Sequence, residues 1–165
     1  MQKVLFVDPD RCTGCRSCEA ICSLGHDGEC NPRFSRVTIE TWGEVAVHIP
    51  MICQRCVDPV CERECPTKAR KRDEKTGAVV TDDTVCVGCE SCIFACPFAA
   101  PKVHPLTGKT VTCDLCGGEP QCVTVCTPGA LSFIPAERVV LKKRRSVGVS
   151  FAQQLRIHQM EERVC

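Results

Sequence analysis

The chain has 165 residues, 18 of them cysteine, with 21 Lys+Arg against 20 Asp+Glu and a formal charge of +1. A cysteine share near one in nine excludes a fold held by an apolar core alone and points to cross-linking by disulfide or metal. Near-neutral charge with only 4% aromatic residues gives neither the basic footprint nor the stacking surface of a nucleic-acid binder.

In chain order, the first expected element is a strand, Val4 to Val7, after Met1-Gln2-Lys3. Its apolar run is too short for a signal-peptide core, and Asp8-Pro9-Asp10 offers no small-residue cleavage pattern. No apolar stretch approaches a membrane span. The expectation is a cytoplasmic protein, where thiols stay reduced and bind metal. A cysteine run follows, Cys12-x2-Cys15-x2-Cys18-x3-Cys22, then strands at Val37 to Glu40 and Val45 to Ile49. Next come Cys53-x2-Cys56-x4-Cys61-x3-Cys65, a strand at Ala78 to Thr81, and Cys86-x2-Cys89-x2-Cys92-x3-Cys96. A strand at Thr110 to Thr112, the run Cys113-x2-Cys116-x5-Cys122-x3-Cys126, and strands at Leu131 to Ile134 and Val139 to Leu141 complete the body. The strands are short and bounded by turn-forming residues. In each run the third cysteine opens about one helical turn that sets the last two at i and i+4 on one face. The unit strand, cysteine loop, short helix, strand thus recurs, which predicts an α+β fold. From Arg138 the pattern changes: Lys142 to Arg145 is a basic run, and Phe151, Leu155, Met160 and Val164 recur at helical spacing. Residues 142–165 read as a basic linker and an amphipathic C-terminal arm.

Three cysteines at x2 spacing wrap one loop around three irons of a cubane, and the fourth cysteine of such a run ligates the other cluster of a pair. Two runs make a two-cluster unit; four runs make four clusters. Pro66 and Pro97 follow the last cysteines of the second and third runs, where proline stops a helix, whereas Ser23 follows Cys22 and the fourth run delays its proline to Pro128. Zinc needs two C-x2-C pairs per ion, and the third cysteine of each run is surplus to that geometry. Each oxidised cluster brings about +2 and its four thiolates −4, so four clusters move the formal charge to about −7. Lys68, Arg70, Lys71 and Arg72 beside the second run either partly offset this or, as the plainer reading of any one of them, form a solvated charged face.

These runs, in their order, with the flanks Cys65-Pro66-Thr67, Ala78-Val79-Val80, Cys96-Pro97-Phe98, Thr112-Cys113-Asp114-Leu115-Cys116 and Thr127-Pro128-Gly129-Ala130-Leu131, resemble the four-cluster ferredoxin-like electron-transfer subunits of molybdenum and tungsten oxidoreductases. Relatives of that kind include the iron–sulfur subunits of dimethyl sulfoxide reductase and formate dehydrogenase. The resemblance spans about Val4 to Leu141; Lys68 stands where the family often has glycine, a departure that bears on a local turn. It implies four [4Fe-4S] clusters and a pairing of first run with fourth and second with third. Cys12, Cys15 and Cys18 would share a cluster with Cys126, and Cys113, Cys116 and Cys122 with Cys22. Cys53, Cys56 and Cys61 would take Cys96, and Cys86, Cys89 and Cys92 would take Cys65. An inner ferredoxin-like unit, residues 51–102, would then be inserted in an outer one, residues 1–50 and 103–141.

Among soluble members the chain looks most similar to the electron-transfer subunit of a multisubunit tungsten aldehyde oxidoreductase, with benzoyl-CoA reductase, carbon monoxide dehydrogenase and hydrogenase components close behind. The resemblance implies a non-catalytic relay between a tungsten- or molybdenum-pterin subunit and a flavin subunit or ferredoxin. Two alternatives stand beside it: a free-standing polyferredoxin, and a zinc-stabilised interaction module. Nothing in the sequence supplies a substrate site. His26, His48, His104 and His158 are scattered and read as surface or loop residues, Trp42 as a packing residue or partner contact, and Cys116 to Pro120 as a turn. Cys30 and Cys165 lie outside the runs. The arm suits docking on a neighbouring subunit, and docking on another copy would propagate head-to-tail into a filament.

Overall fold

The computed structural model describes residues 3–141 together with 144 and 147. It falls into two units, residues 7–132 and residues 1–6 with 133 onward. The strands are β1 (Lys3–Val7), β2 (Thr38–Trp42), β3 (Val47–Met51), β4 (Arg70–Arg72), β5 (Val79–Thr81), β6 (Lys102–Val103), β7 (Thr110–Val111) and β8 (Leu131–Pro135). The helices α1 (Ser17–Asp27), α2 (Val60–Arg63), α3 (Ser91–Phe94) and α4 (Gln121–Thr124) alternate with them. The result is a small α+β protein in which every described sheet has two strands, paired β1 with β8, β2 with β3, β4 with β5 and β6 with β7.

Within residues 7–132 the antiparallel registers are Thr38 opposite Met51, Arg70 opposite Thr81 and Lys102 opposite Val111. Helix α1 packs on α4 and α2 on α3, so first and fourth, and second and third, cysteine segments are neighbours. Sequence reading misses β4 and β6, which are three and two residues long and too short to show alternation. They are marked instead by the turn that comes after each. Asp73-x-x-Thr76-Gly77 and His104-x-x-Thr107-Gly108 close in the same way: Gly77 N–H donates to Asp73 O at 2.8 Å and Gly108 N–H to His104 O at 2.9 Å. Each loop also caps itself with the side chain of its first residue, Asp73 accepting from Thr76 N–H and His104 Nδ1 from Thr107 N–H.

Two expectations are corrected. The first run does not end in one turn of helix: α1 has 11 residues. Ser23, unlike Pro66 and Pro97, keeps its backbone N–H and lets the helix continue. Its side chain is fully buried, and its hydroxyl donates to Ala20 O and accepts from Asn31 N–H, both at 3.0 Å. Glu19, also buried, accepts Ile39 N–H at 2.7 Å and so ties α1 to β2. Gly28 ends the helix in the left-handed conformation, its N–H returning to Leu24 O. The second correction concerns Val139 to Leu141, which are helical within residues 136–141; after Pro135, the helix formers Ala136, Glu137 and Arg138 outweigh two β-branched valines.

In the other unit β1 and β8 pair, and Lys3 Nζ stands 5.9 Å from the centre of the Phe133 ring. The basic linker and the amphipathic arm lie outside the described residues, apart from 144 and 147. Among the described residues no helix is long and apolar enough to cross a membrane.

Candidate iron–sulfur centres

The cysteine loops share a backbone device. The residue before the second cysteine is left-handed in all four runs: Gly14 (φ 70°), Arg55 (φ 50°), Gly88 (φ 69°) and Leu115 (φ 60°). Arg55 and Leu115 carry strain there, since non-glycine residues seldom adopt this conformation, and strain of that kind persists where the turn serves a site. Left-handed residues in such loops turn neighbouring N–H groups toward one side, the arrangement of an anion-binding nest suited to sulfide and thiolate. Close packing adds a second reason for glycine at the other two positions. A Cβ on Gly88 would lie 2.5 Å from Gly108 O, and one on Gly14 2.6 Å from His48 Nδ1. The segments after the fourth cysteines repeat as well. Lys68, Ala99 and Gly129 are all left-handed and donate N–H to Cys65, Cys96 and Cys126 carbonyls. The turn that glycine serves in the family therefore forms here with Lys68.

All seventeen cysteines among the described residues are free thiols. Twelve of them meet in fours. Cys12, Cys15, Cys18 and Cys126 line one cavity with Ile39 and Pro50. Cys22, Cys113, Cys116 and Cys122 line a second with His26 and Arg36. Cys53, Cys56, Cys61 and Cys96 line a third with Val79 and Phe98. Of the remaining four in the runs, Cys65 and Cys86 pack together on Ala69, Cys89 lies within electrostatic reach of Cys65, and Cys92 packs beside Cys61 and Val79.

The electrostatics of these fours call for a cation. Burial, then the Glu19 charge, pushes the Cys18 thiol up to about 12, and burial pushes Cys113 up to about 12. Cys122 rises still further through burial and the charges of Cys113 and Cys116. Such crowded thiols cannot all ionise alone, whereas an iron core takes four thiolates at once. N–H groups already face the sulfurs: Arg36 N–H donates to Cys22 Sγ and Leu131 N–H to Cys126 Sγ, both at 3.3 Å. The donor set and the nests fit [4Fe-4S] clusters, which are held by thiolates and tuned by hydrogen bonds to sulfur.

Several residues beside the cysteines are not legible in the sequence. His26, expected at a surface or in a loop, lies in α1 instead and donates from Nδ1 to Cys22 O at 2.8 Å and from Nε2 to Asp114 at 3.1 Å. The Asp114 carboxylate, then Cys22, raise its pKa to about 10. Burial opposes ionisation of Asp114, but the His26 hydrogen bond and the Arg36 guanidinium, 2.7 Å away, hold it well below the usual carboxylate range. His104 lies in the loop after β6, within the expectation, but it is buried, bonds Asp27 at 2.9 Å and stacks on Phe34. Arg70 is buried too, so the basic stretch around it is not one solvated face, although Lys68 and Lys71 are exposed. Trp42 is half exposed, and Cys30 is exposed.

Residues 45–135 match the 4Fe-4S dicluster domain family. The chain is 43% identical to the polyferredoxin-like subunit of the aliphatic sulfonate oxidoreductase of Pyrococcus furiosus, over 74% of this chain and 70% of that one. It is 33% identical to the B subunit of the anaerobic dimethyl sulfoxide reductase of Escherichia coli, over 93% and 82%. A third relative, the thiosulfate reductase electron transfer subunit of Salmonella typhi, is 35% identical over 80% and 75%. In solved structures, a polypeptide of the active site complex BamBC of benzoyl-coenzyme A reductase, as isolated, aligns over 90% of this chain and 89% of its own, at 26% identity and a TM-score of 0.48. On the family match and these curated relatives, the chain belongs to the 4Fe-4S dicluster domain family, among iron–sulfur electron-transfer subunits of oxidoreductases rather than their catalytic subunits.

Proposed function

We propose that the chain holds four [4Fe-4S] clusters and relays single electrons between a tungsten- or molybdenum-pterin catalytic subunit, of aldehyde oxidoreductase type, and a flavin subunit or soluble ferredoxin in the cytoplasm. The observation that carries this is the meeting of cysteines in fours: three cavities are each lined by three cysteines of one run and one of another. Their pairing, first run with fourth and second with third, follows the packing of α1 on α4 and α2 on α3. It supports an inner unit, residues 51–102, set within an outer one, residues 1–50 and 103–141. The ligands are then Cys12, Cys15, Cys18 and Cys126; Cys22, Cys113, Cys116 and Cys122; Cys53, Cys56, Cys61 and Cys96; and Cys65, Cys86, Cys89 and Cys92.

When bound, the clusters supply one-electron chemistry. The protein's part is to hold them and set their surroundings. Backbone N–H groups and the buried Thr110 hydroxyl face the sulfurs, and apolar residues such as Ile39 and Val79 exclude water from the cavities. At two cysteines the wall is thin, because Cys15 in the outer set and Cys89 in the inner set are exposed, and these are the natural points of electron entry and exit.

A second reading of the partner rests on the relatives' names, which specify aliphatic sulfonate, dimethyl sulfoxide and thiosulfate: the catalytic subunit acts on a sulfur–oxygen compound. An anaerobic pull-down from native cells, with mass spectrometry and iron, molybdenum and tungsten analysis, separates the cases. A co-purifying pterin-metal subunit that turns over an aldehyde supports the first reading, and one that turns over only a sulfonate, sulfoxide or thiosulfate supports the second. Recovery alone, with iron and sulfide, overturns both in favour of a free polyferredoxin.

A further inference from the structure

Arg70 opens β4 and is 1% exposed. Its Nη1 donates to Thr81 Oγ1 at 2.9 Å and its Nη2 to Thr112 Oγ1 at 2.8 Å. Both partners are neutral, and Thr112 spends its own proton on Val79 O. Nε has no hydrogen-bond partner, and among the described residues no carboxylate lies within ion-pair distance of the guanidinium. Arginine stays protonated in proteins, and a cation taken out of water without an opposing charge is strongly disfavoured. The anionic group it does reach is sulfur: Nη2 points at Cys61 Sγ from 3.9 Å.

Cys61 belongs with Cys53, Cys56 and Cys96 around one cavity, and the role of Arg70 rests on the reading of that four as cluster ligands. We infer that Arg70 is the built-in counter-ion of that cluster and holds its reduction potential above the value the same four cysteines would give beside a neutral residue. A [4Fe-4S] core with four thiolates carries about −2 when oxidised and about −3 when reduced. A fixed cation stabilises the more negative state more, so it favours reduction. Arg70 also spans a junction: Thr112 precedes Cys113, a member of the outer cavity's four. The cation therefore touches the Cys61 four directly and the segment that leads into the Cys113 four through Thr112.

The test uses the full chain loaded anaerobically with iron and sulfide, titrated electrochemically with each cluster followed by EPR. Arg70→Met removes the charge and keeps most of the volume; Arg70→Lys keeps the charge. In Arg70→Met, one of four reduction equilibria is expected to weaken at least about tenfold, about 59 mV for a one-electron couple, while three stay in place. Arg70→Lys recovers at least part of the shift, and the equilibrium that moves is among those whose EPR signals Cys61→Ser alters or removes. An iron-replete Arg70→Met with four unchanged equilibria overturns the inference, as does a shift in a cluster that Cys61→Ser leaves intact. If Arg70→Met fails to hold one cluster while Arg70→Lys holds all four, the charge is needed even for retention and the inference stands. Loss of the same cluster from both overturns it. Wild-type protein with fewer irons than four clusters require refutes the reading of the fours before any variant is compared, and takes the inference with it.

Discussion

Cys30 and Cys89 are both exposed, so accessibility does not separate a ligand from a bystander; surroundings do. Cys89 sits in a run with Cys86 and Cys92, and the Ser91 hydroxyl and N–H lower its pKa, favouring the thiolate that metal needs. Cys30 has no second cysteine at ligand spacing. Because ligation couples to folding, the proposed pairing, in which two inner clusters would exchange Cys65 and Cys96, predicts that Cys89→Ser costs about half of the iron. Cys30→Ser is expected to keep all of it. Iron analysis of the two purified variants decides, and equal losses would falsify the ligand assignment. The cysteine runs and their meeting in fours were legible from sequence because the spacing of a run is a local property. Arg70 and His26 were not, because their importance comes from burial and from partners far along the chain: Thr112 is 42 residues from Arg70, and Asp114 is 88 from His26. A charged residue in a short basic stretch looks the same in the sequence whether it faces water or a cluster.

At the level of elements, one repeated template explains the short helices α2, α3 and α4 but not α1. The difference lies in how soon proline follows the fourth cysteine: at once as Pro66 and Pro97 in the second and third runs, two residues on as Pro128 in the fourth, but not before Pro32 in the first, where Ser23 follows Cys22. Ser23 was visible in the sequence, and its consequence, a helix running to Asp27 that carries His26 toward Asp114, depends on what proline would have forbidden. Ser23→Pro therefore removes a helical N–H in an element interior, at about 3 kcal/mol or more. It also strips Asn31 N–H of its acceptor, at about 1–3 kcal/mol. Ser23→Ala keeps the helix and loses only the hydroxyl. Thermal unfolding of the iron-loaded chain should show a large destabilisation for proline and a smaller one for alanine; equal melting of the two variants would show that the continuation of α1 contributes nothing. Strands β4 and β6 stayed hidden for a different reason, since two or three residues hold no periodicity, and only the x-x-Thr-Gly turn marks them.

For the whole molecule, charge separates the loaded from the empty chain. The polypeptide is nearly balanced, at +1 with a sequence pI near 7.4, and this balance is a property of the protein without iron. On the proposed reading, four clusters, each about −2 with its thiolates, would carry the chain to about −7. Most of that charge lies behind apolar walls, where salt screens it little, and where Cys15 and Cys89 reach the surface it projects outward over about 10 Å at moderate ionic strength. A partner docking at either edge meets a negative field that its own lysines and arginines can answer, which speeds encounter and selects among partners. The loaded chain should therefore bind an anion exchanger at pH 7 and elute at distinctly higher salt than chain from which iron has been chelated. The comparison is best made on protein refolded without metal, so that a change in exposed surface is seen separately by its circular dichroism. If loaded and iron-free chain elute together, the charge of about −7 is wrong, and with it the number of clusters from which it was built.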